Sequence, residues 1–366
     1  MGKLTVQTDP VAESYRNYAW GGPTAMNHRH RLGLGLLTLA FLLGQTMSAS
    51  AANLEEQLDL RPNNATRGQS RDVADGWMQL GNQQQADGDL AAATVAWAEA
   101  AEIYRLLGDT QSAGRAYGSM GAAFGSLGRY PEAERAFVLR LGTARDNDDR
   151  LGQVYGLNNL GNLYVNQGRL NEGQTHFEEA FQIARTTGDA QALGVSLSNL
   201  GRVATQRGEL EAAARLLEAA TNYRILASDY LGEAHSSNNL GDVYVALGRE
   251  SNAIGAYRVA LRSGVEAGDI PLQIRALDGL LGVYLGRGDL AIAKGYLDQR
   301  AALTLSGAGV AADVETALTY RWLGDYYLQT EQLDTARRAF SQGLAIARDL
   351  EEKSLEAEFV NRLLAL

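Results

Sequence analysis

Large apolar residues recur along this chain at i, i+3 and i+4, the spacing of one buried helix face, and over residues 73–348 that helical pattern restarts every forty residues. The marker of each restart is a glycine, at Gly81, Gly121, Gly161, Gly201 and Gly241. The next step falls on Leu281 with Gly282 beside it, and a last copy stands at Gly324 after a three-residue slip. A large apolar residue precedes the marker (Leu80, Met120, Leu160, Leu200, Leu240, Leu280, Leu323), and an aromatic often follows three residues later (Phe124, Tyr164, Tyr244, Tyr284, Tyr327). The glycine therefore falls in mid-helix, where it costs roughly 1 kcal/mol against alanine. A repeated residue that costs stability predicts a neighbouring helix packed too close for a side chain.

A second glycine follows seven residues on, at Gly88, Gly128, Gly168, Gly208 and Gly248. It reads as a helix stop, because glycine takes the left-handed C′ conformation without a Cβ clash. The helix beyond it carries a small residue (Ala93, Ala133, Gly173, Ala213, Ala253, Ala293, Ala336) and a bulky one four later (Trp97, Phe137, Phe177, Leu217, Tyr257, Leu297, Phe340). The small residue allows tight packing and the bulky one fills the space between two helices. Asp109, Asp149, Asp189, Asp229 and Asp269 close each unit, again forty apart, and read as N-caps of the next repeat. A fixed period of this size is the signature of a solenoid.

The order large–Gly–x–x–aromatic, then small, then bulky, then small resembles the tetratricopeptide repeat. The last small position is Ala100, Ala180, Ala220 and Ala260, but Arg140, Arg300 and Gly343 break it, and the usual closing proline is missing. The forty-residue period is longer than the common thirty-four. It places the pattern with the longer variants, similar to kinesin light chain, LGN-type scaffolds and the bacterial arrays that precede CHAT protease domains. The resemblance implies an all-α, right-handed superhelical solenoid of about seven helix pairs over residues 73–348, with first helices lining the concave side. Residues 349–366 then read as a capping helix, with Leu355, Phe359, Leu363 and Leu364 on one side; a dimer contact is the other reading.

The N-terminal part differs. A short basic stretch from Met26 to Arg31 precedes an apolar run from Leu32 to Gly44, of signal-peptide length and short for a membrane span. Ala49 and Ala51 fit the A-x-A cleavage rule. We expect residues 26–51 to be a signal peptide cut after Ala51, with Met26 the working start, residues 1–25 an upstream extension and residues 52–72 a polar linker. The mature protein is then exported to the periplasm or beyond; an uncleaved membrane anchor is the alternative. Cleavage removes Lys3, Arg16, Arg29 and Arg31 with Asp9 and Glu13, and takes the net charge from −10 to −12. That balance argues against nucleic acid and against an anionic membrane. The chain has no cysteine, which removes disulfides, thiol nucleophiles and thiolate metal sites.

Nucleophile elbows, phosphate loops and zinc-protease motifs are absent. Only His176 and His235 remain beyond residue 51, in different repeats. Carboxylate pairs such as Glu178-Glu179 read as solvated helix faces. Binding is therefore expected rather than catalysis, with no cofactor. Concave positions lie six and three residues before the marker glycine, then one and four after it. With the asparagines that recur in the central repeats, this rule selects Tyr155, Asn158, Asn162, Asn199, Arg202, His235, Asn238, Asp242, Arg275, Asp278, Arg321 and Asp325 as the partner-binding groove. Asparagine is a poor helix former, so the recurrence of Asn158-Asn159, Asn199 and Asn238-Asn239 needs a reason. One reading is that the amides hold the backbone of an extended partner segment; the other is hydrogen bonding between repeats. A second functional class follows from resemblance to exported cyanobacterial repeat proteins of photosystem assembly: Asp242, Asp278 and Asp325 could hold a hard ion such as manganese, although they are spread over three repeats.

Overall fold

The structure is a computed structural model, and it describes residues 64–305 and 313–366. Among them fifteen helices and no strand are found. They form seven antiparallel pairs and a final helix: α1 (Asn64–Ala86) and α2 (Leu90–Leu106), α3 (Thr110–Ser126) and α4 (Tyr130–Asp146), α5 (Arg150–Asn166) and α6 (Leu170–Thr187), α7 (Ala190–Gln206) and α8 (Leu210–Leu226), α9 (Tyr230–Ala246) and α10 (Glu250–Glu266), α11 (Ile270–Gly286) and α12 (Leu290–Thr304), α13 (Val314–Gln329) and α14 (Leu333–Asp349), then α15 (Lys353–Leu364). Each helix packs on the one before and the one after it. The architecture is the solenoid that the forty-residue period predicts, closed by a C-terminal helix. The expected signal peptide and upstream extension fall outside the described residues. The first helix begins at Asn64, ahead of residue 73, so the last part of the expected linker is helical.

The boundaries follow from local chemistry. Asp109, Asp149, Asp189, Asp229 and Asp269 each accept the backbone N–H three residues on, satisfying an orphan donor of the first turn. Asp89 and Asp313 do the same for α2 and α13. The stop glycine is left-handed, φ 78° at Gly168, and lets the chain reverse into the next helix within a few residues.

The packing turns on the marker glycine. A Cβ at Gly161 would overlap the Phe177 ring, one at Gly121 the Phe137 ring, one at Gly81 the Trp97 ring and one at Gly241 the Tyr257 ring. Gly201 meets Leu217 and Gly324 meets Phe340 in the same way. Each of these bulky side chains is buried. The sixth repeat departs from the rule. Leu281 takes the glycine's place and is itself buried, while Gly282 faces outward, its nearest neighbour a Trp322 carbon 3.9 Å from an added Cβ.

Two buried arginines replace apolar contacts where repeats join. Arg224 on α8 donates to the Gly194 carbonyl (3.2 Å) and to Asp229 (2.6 Å), the same carboxylate that caps α9. Arg300 on α12 donates to Asp278 of α11 (2.6 Å), to the Glu315 carboxylate of α13 (2.7 Å), to the Glu315 carbonyl (2.9 Å) and to Thr319. Both side chains have no exposed surface. A cation so buried is tolerated only with its hydrogen bonds satisfied.

The closest packing between alternate helices joins first helices: α3 packs on α5, α5 on α7, α7 on α9 and α9 on α11. First helices therefore line the inner, concave side, as expected. Between α1 and α3, which meet through Arg71 and Ser112 (3.4 Å), and between α11 and α13 that packing is slighter, so the concave face is drawn tightest in its middle.

Gly161→Val should lower unfolding free energy by about 2–3 kcal/mol, because the added methyls meet an aromatic ring that has no room to move. Gly282→Ala, with open space above it, should be neutral or stabilise by up to about 1 kcal/mol. Urea unfolding followed by circular dichroism checks both; equal losses at the two positions would contradict the close-approach account.

Candidate concave binding face

The central asparagines lie in the seam between first helices. Asn158 is fully buried on α5; its amide donates to the Val154 carbonyl (2.9 Å) and the Ser196 hydroxyl (3.2 Å). Asn199 on α7 donates back to the Asn158 carbonyl oxygen (2.9 Å). Ser198 and Ser236 share a 2.6 Å hydrogen bond in the next seam, and Asn238 on α9 donates to the Leu272 carbonyl at the start of α11 (3.2 Å). Asn199 and Asn238 have no exposed surface either. Of the two readings of the asparagine recurrence, the geometry supports repeat-to-repeat bonding. The physical reason is the direct packing of first helices, which covers the position three before the glycine.

The other expected residues sort differently. Asn162 is also buried; its carbonyl oxygen accepts from the half-buried Arg202 of α7. Tyr155 is half-buried, with the Arg140 guanidinium 5.4 Å from its ring centre. Asp242 and Arg275 are exposed and paired at 2.7 Å; Asp242 also accepts from the Tyr257 phenol (2.7 Å), and Arg275 reaches Asn239 (2.7 Å). Burial and the neighbouring Asp242 carboxylate push the Tyr257 phenol up. Asp278 turns to Arg300, away from a groove role, because the guanidinium needs its charge. Asp325 pairs with Arg362 of α15, and burial raises its carboxyl above the usual range despite that cation. Arg321 lies over the Trp322 ring (4.4 Å) and 3.8 Å from Glu358.

The structure thus brings together Arg202 with Asn162 and Asp242 with Arg275 on the inner side. It does not gather Asp242, Asp278 and Asp325: each is held by a different arginine, and among the described residues no three acids or imidazoles form a metal-ligand set. Tyr257 and Trp322 were not among the expected groove residues, and Asn239 was expected only as one of the recurring asparagines. Asn239 stands two before the glycine, a position that the concave rule omitted and that Arg275 of the next repeat reaches.

His235 sits half-buried on α9. Burial, reinforced by the charges of Arg224 and Arg275, depresses its imidazole to about 3. It is neutral over the whole physiological range. His176 stacks on Tyr164 with ring centres 5.3 Å apart, and Arg169 lies 4.2 Å from the centre of the same ring. The Tyr164 phenol donates to Glu134 of the preceding repeat (2.8 Å) and is pushed up to about 12, by burial first and then by that carboxylate.

Residues 153–225 match the tetratricopeptide repeat family. No curated protein matches the chain in sequence. Among solved structures, the array is similar to BtubC (BKLC) from P. vanneervenii, with 18% identity and a TM-score of 0.53 over 60% of this chain and 91% of that one. It is similar to a signal transduction ATPase of the STAND class with a tetratricopeptide repeat sensor from Pyrococcus horikoshii, with 14% identity and a TM-score of 0.59 over 79% of this chain and 44% of that one. A Rap protein complexed with competence and sporulation factor is 15% identical, with a TM-score of 0.50 and 75% of each chain covered. At these identities the likeness shows the fold. Among the described residues no helix is long and apolar enough to cross a membrane.

The unfolded imidazole takes a proton near 6.5 and the folded His235 only near 3, so the unfolded state binds protons first as the pH falls. Stability should therefore drop from pH 7 downward, with this residue contributing a loss of about 2 kcal/mol by pH 5. His235→Gln should flatten the profile by that amount. Chemical denaturation at pH 7 and pH 5 on both proteins gives the difference; parallel profiles would contradict it.

Proposed function

We propose that this chain is a non-enzymatic scaffold that captures an extended segment of a partner protein along its concave face. One observation carries the reading: first helices of successive repeats form a continuous inner wall on which Tyr155, Arg202, Asn239, Asp242 and Arg275 are at least partly exposed. Solenoid surfaces of this kind offer extended concave binding sites, and a polar, half-buried wall suits a peptide that brings its own backbone donors and acceptors. Arg202 has no carboxylate within ion-pair range among the described residues, in contrast to the Arg275–Asp242 pair, so it is available to a partner. The solved Rap protein in complex with competence and sporulation factor lends the reading a precedent within the fold. The compartment belongs to the same proposal: the segment 26–51 motivates placement in the bacterial envelope.

The contacts divide the sequence-derived residues into two groups with separable effects. Asn158→Ala removes a buried amide and should cost about 1–3 kcal/mol of stability, with partner binding retained while the array stays folded. Arg202→Ala combined with Arg275→Ala should leave helicity intact and weaken partner retention at least tenfold. Affinity capture from envelope extract with residues 52–366 as bait, each variant beside wild type, reads both. A partner held equally by the double-arginine variant would overturn the concave assignment.

A further inference from the structure

The N-terminal end of the concave face contains a cavity of about 270 Å³ lined by Asp75, Met78, Gln79, Asn82, Tyr104, Ser112 and Arg115. It lies among α1, α2 and α3, where α1 and α3 pack less closely than α3 and α5. Its volume falls just below the usual range for drug-sized ligands, roughly 300–1,000 Å³, and suits a single small metabolite.

The lining is fixed by contacts that leave complementary groups available. The Trp97 indole N–H donates to the Asn82 carbonyl oxygen (3.1 Å). That bond sets the amide and leaves its two N–H donors on the other side. Arg115 donates through one terminal nitrogen to Ser112 (2.8 Å), has no carboxylate partner among the described residues, and retains further N–H donors. A planar guanidinium of this kind matches a carboxylate through two parallel bonds. Asp75 places a carboxylate on the same lining; it accepts from the Tyr104 phenol and is ion-paired with Arg71 at 3.7 Å, with its side chain half exposed. The Ser112 hydroxyl receives both Arg115 and, at 3.4 Å, Arg71, so the polar side of the cavity is one connected set. Met78 and Tyr104 supply the apolar part.

A cation with amide donors, an anion and an apolar surface around so small a volume define their complement. We propose that this cavity binds a free α-amino acid with an apolar side chain. Its carboxylate lies on Arg115 and Asn82, its ammonium on Asp75, and its side chain on Met78 and Tyr104. The site is separate from the central concave contacts, so it stands or falls independently of partner capture.

Calorimetric titration of the full chain with L-leucine, L-methionine and L-phenylalanine tests it, with N-acetyl-leucine and leucinamide as the arms that remove one charge each. Saturable binding of at least one free amino acid is expected, with both leucine derivatives about tenfold or more weaker than leucine. Arg115→Gln and Asp75→Asn, both at exposed positions, should weaken binding by a similar factor at unchanged helicity. No saturable heat with any of the three amino acids overturns the proposal. So does N-acetyl-leucine or leucinamide binding as well as leucine, since the first points to a carboxylate site alone and the second to an ammonium site alone. The derivative arms decide the matter even if a variant folds poorly.

Discussion

A side-chain-free position in mid-helix, filled by an aromatic ring from the partner helix, is the contact on which the array depends. Glycine in a helix interior is intrinsically unfavourable by roughly 1 kcal/mol, yet Gly81, Gly121, Gly161 and Gly241 each accept a ring there. The burial of a Phe or Trp side chain is worth more than that cost, on the order of 1.5–3 kcal/mol. The exchange sets the distance between the two helices of a pair. That distance in turn sets where the next pair begins, because the N-cap aspartate follows the second helix at a fixed interval. Curvature of the whole array is therefore written into one residue per repeat.

The curvature has a polar consequence. Drawing first helices together in the middle of the array buries Asn158, Asn199 and Asn238, with Ser196, Ser198 and Ser236 between them. Buried amides and hydroxyls are costly unless paired, and in this seam they pair chiefly with one another and with helix carbonyls. Directional bonds fix the rotation of one first helix on the next more narrowly than leucine contacts would. The same closeness leaves the two ends, where first helices pack less closely, as the roomier parts of the concave face.

The fold was legible in the sequence because a repeat multiplies a weak local signal. Marker glycine, bulky partner and capping aspartate each say little alone; five copies at one spacing say where every helix starts and stops. The site was less legible, and for a specific reason. The position three before the glycine lies on the inner face of an isolated helix, but whether it meets a groove or the neighbouring helix depends on how far the array curls. Asn158 and Arg202 both lie on first helices and both read as groove residues; only the first is sealed by the next repeat. The departure of Arg300 from the small-residue pattern was visible, and its three-helix network was not, since Glu315 and Thr319 come from beyond the three-residue slip.

The sixth repeat has consequences for the join that follows it. Leu281 fills the place where a ring would seat on glycine, α12 is two residues shorter than most of its counterparts at 15 residues, and the join to α13 combines the oxygen partners of Arg300 with apolar contacts of Trp322, Leu323 and Tyr326. The join between the sixth and seventh repeats is thus built on a different chemistry from the central seams, with one fully buried cation at its centre. One charge on α12 thereby gathers groups from α11 and α13, so the orientation of the last repeat is tied to a single side chain of the one before it.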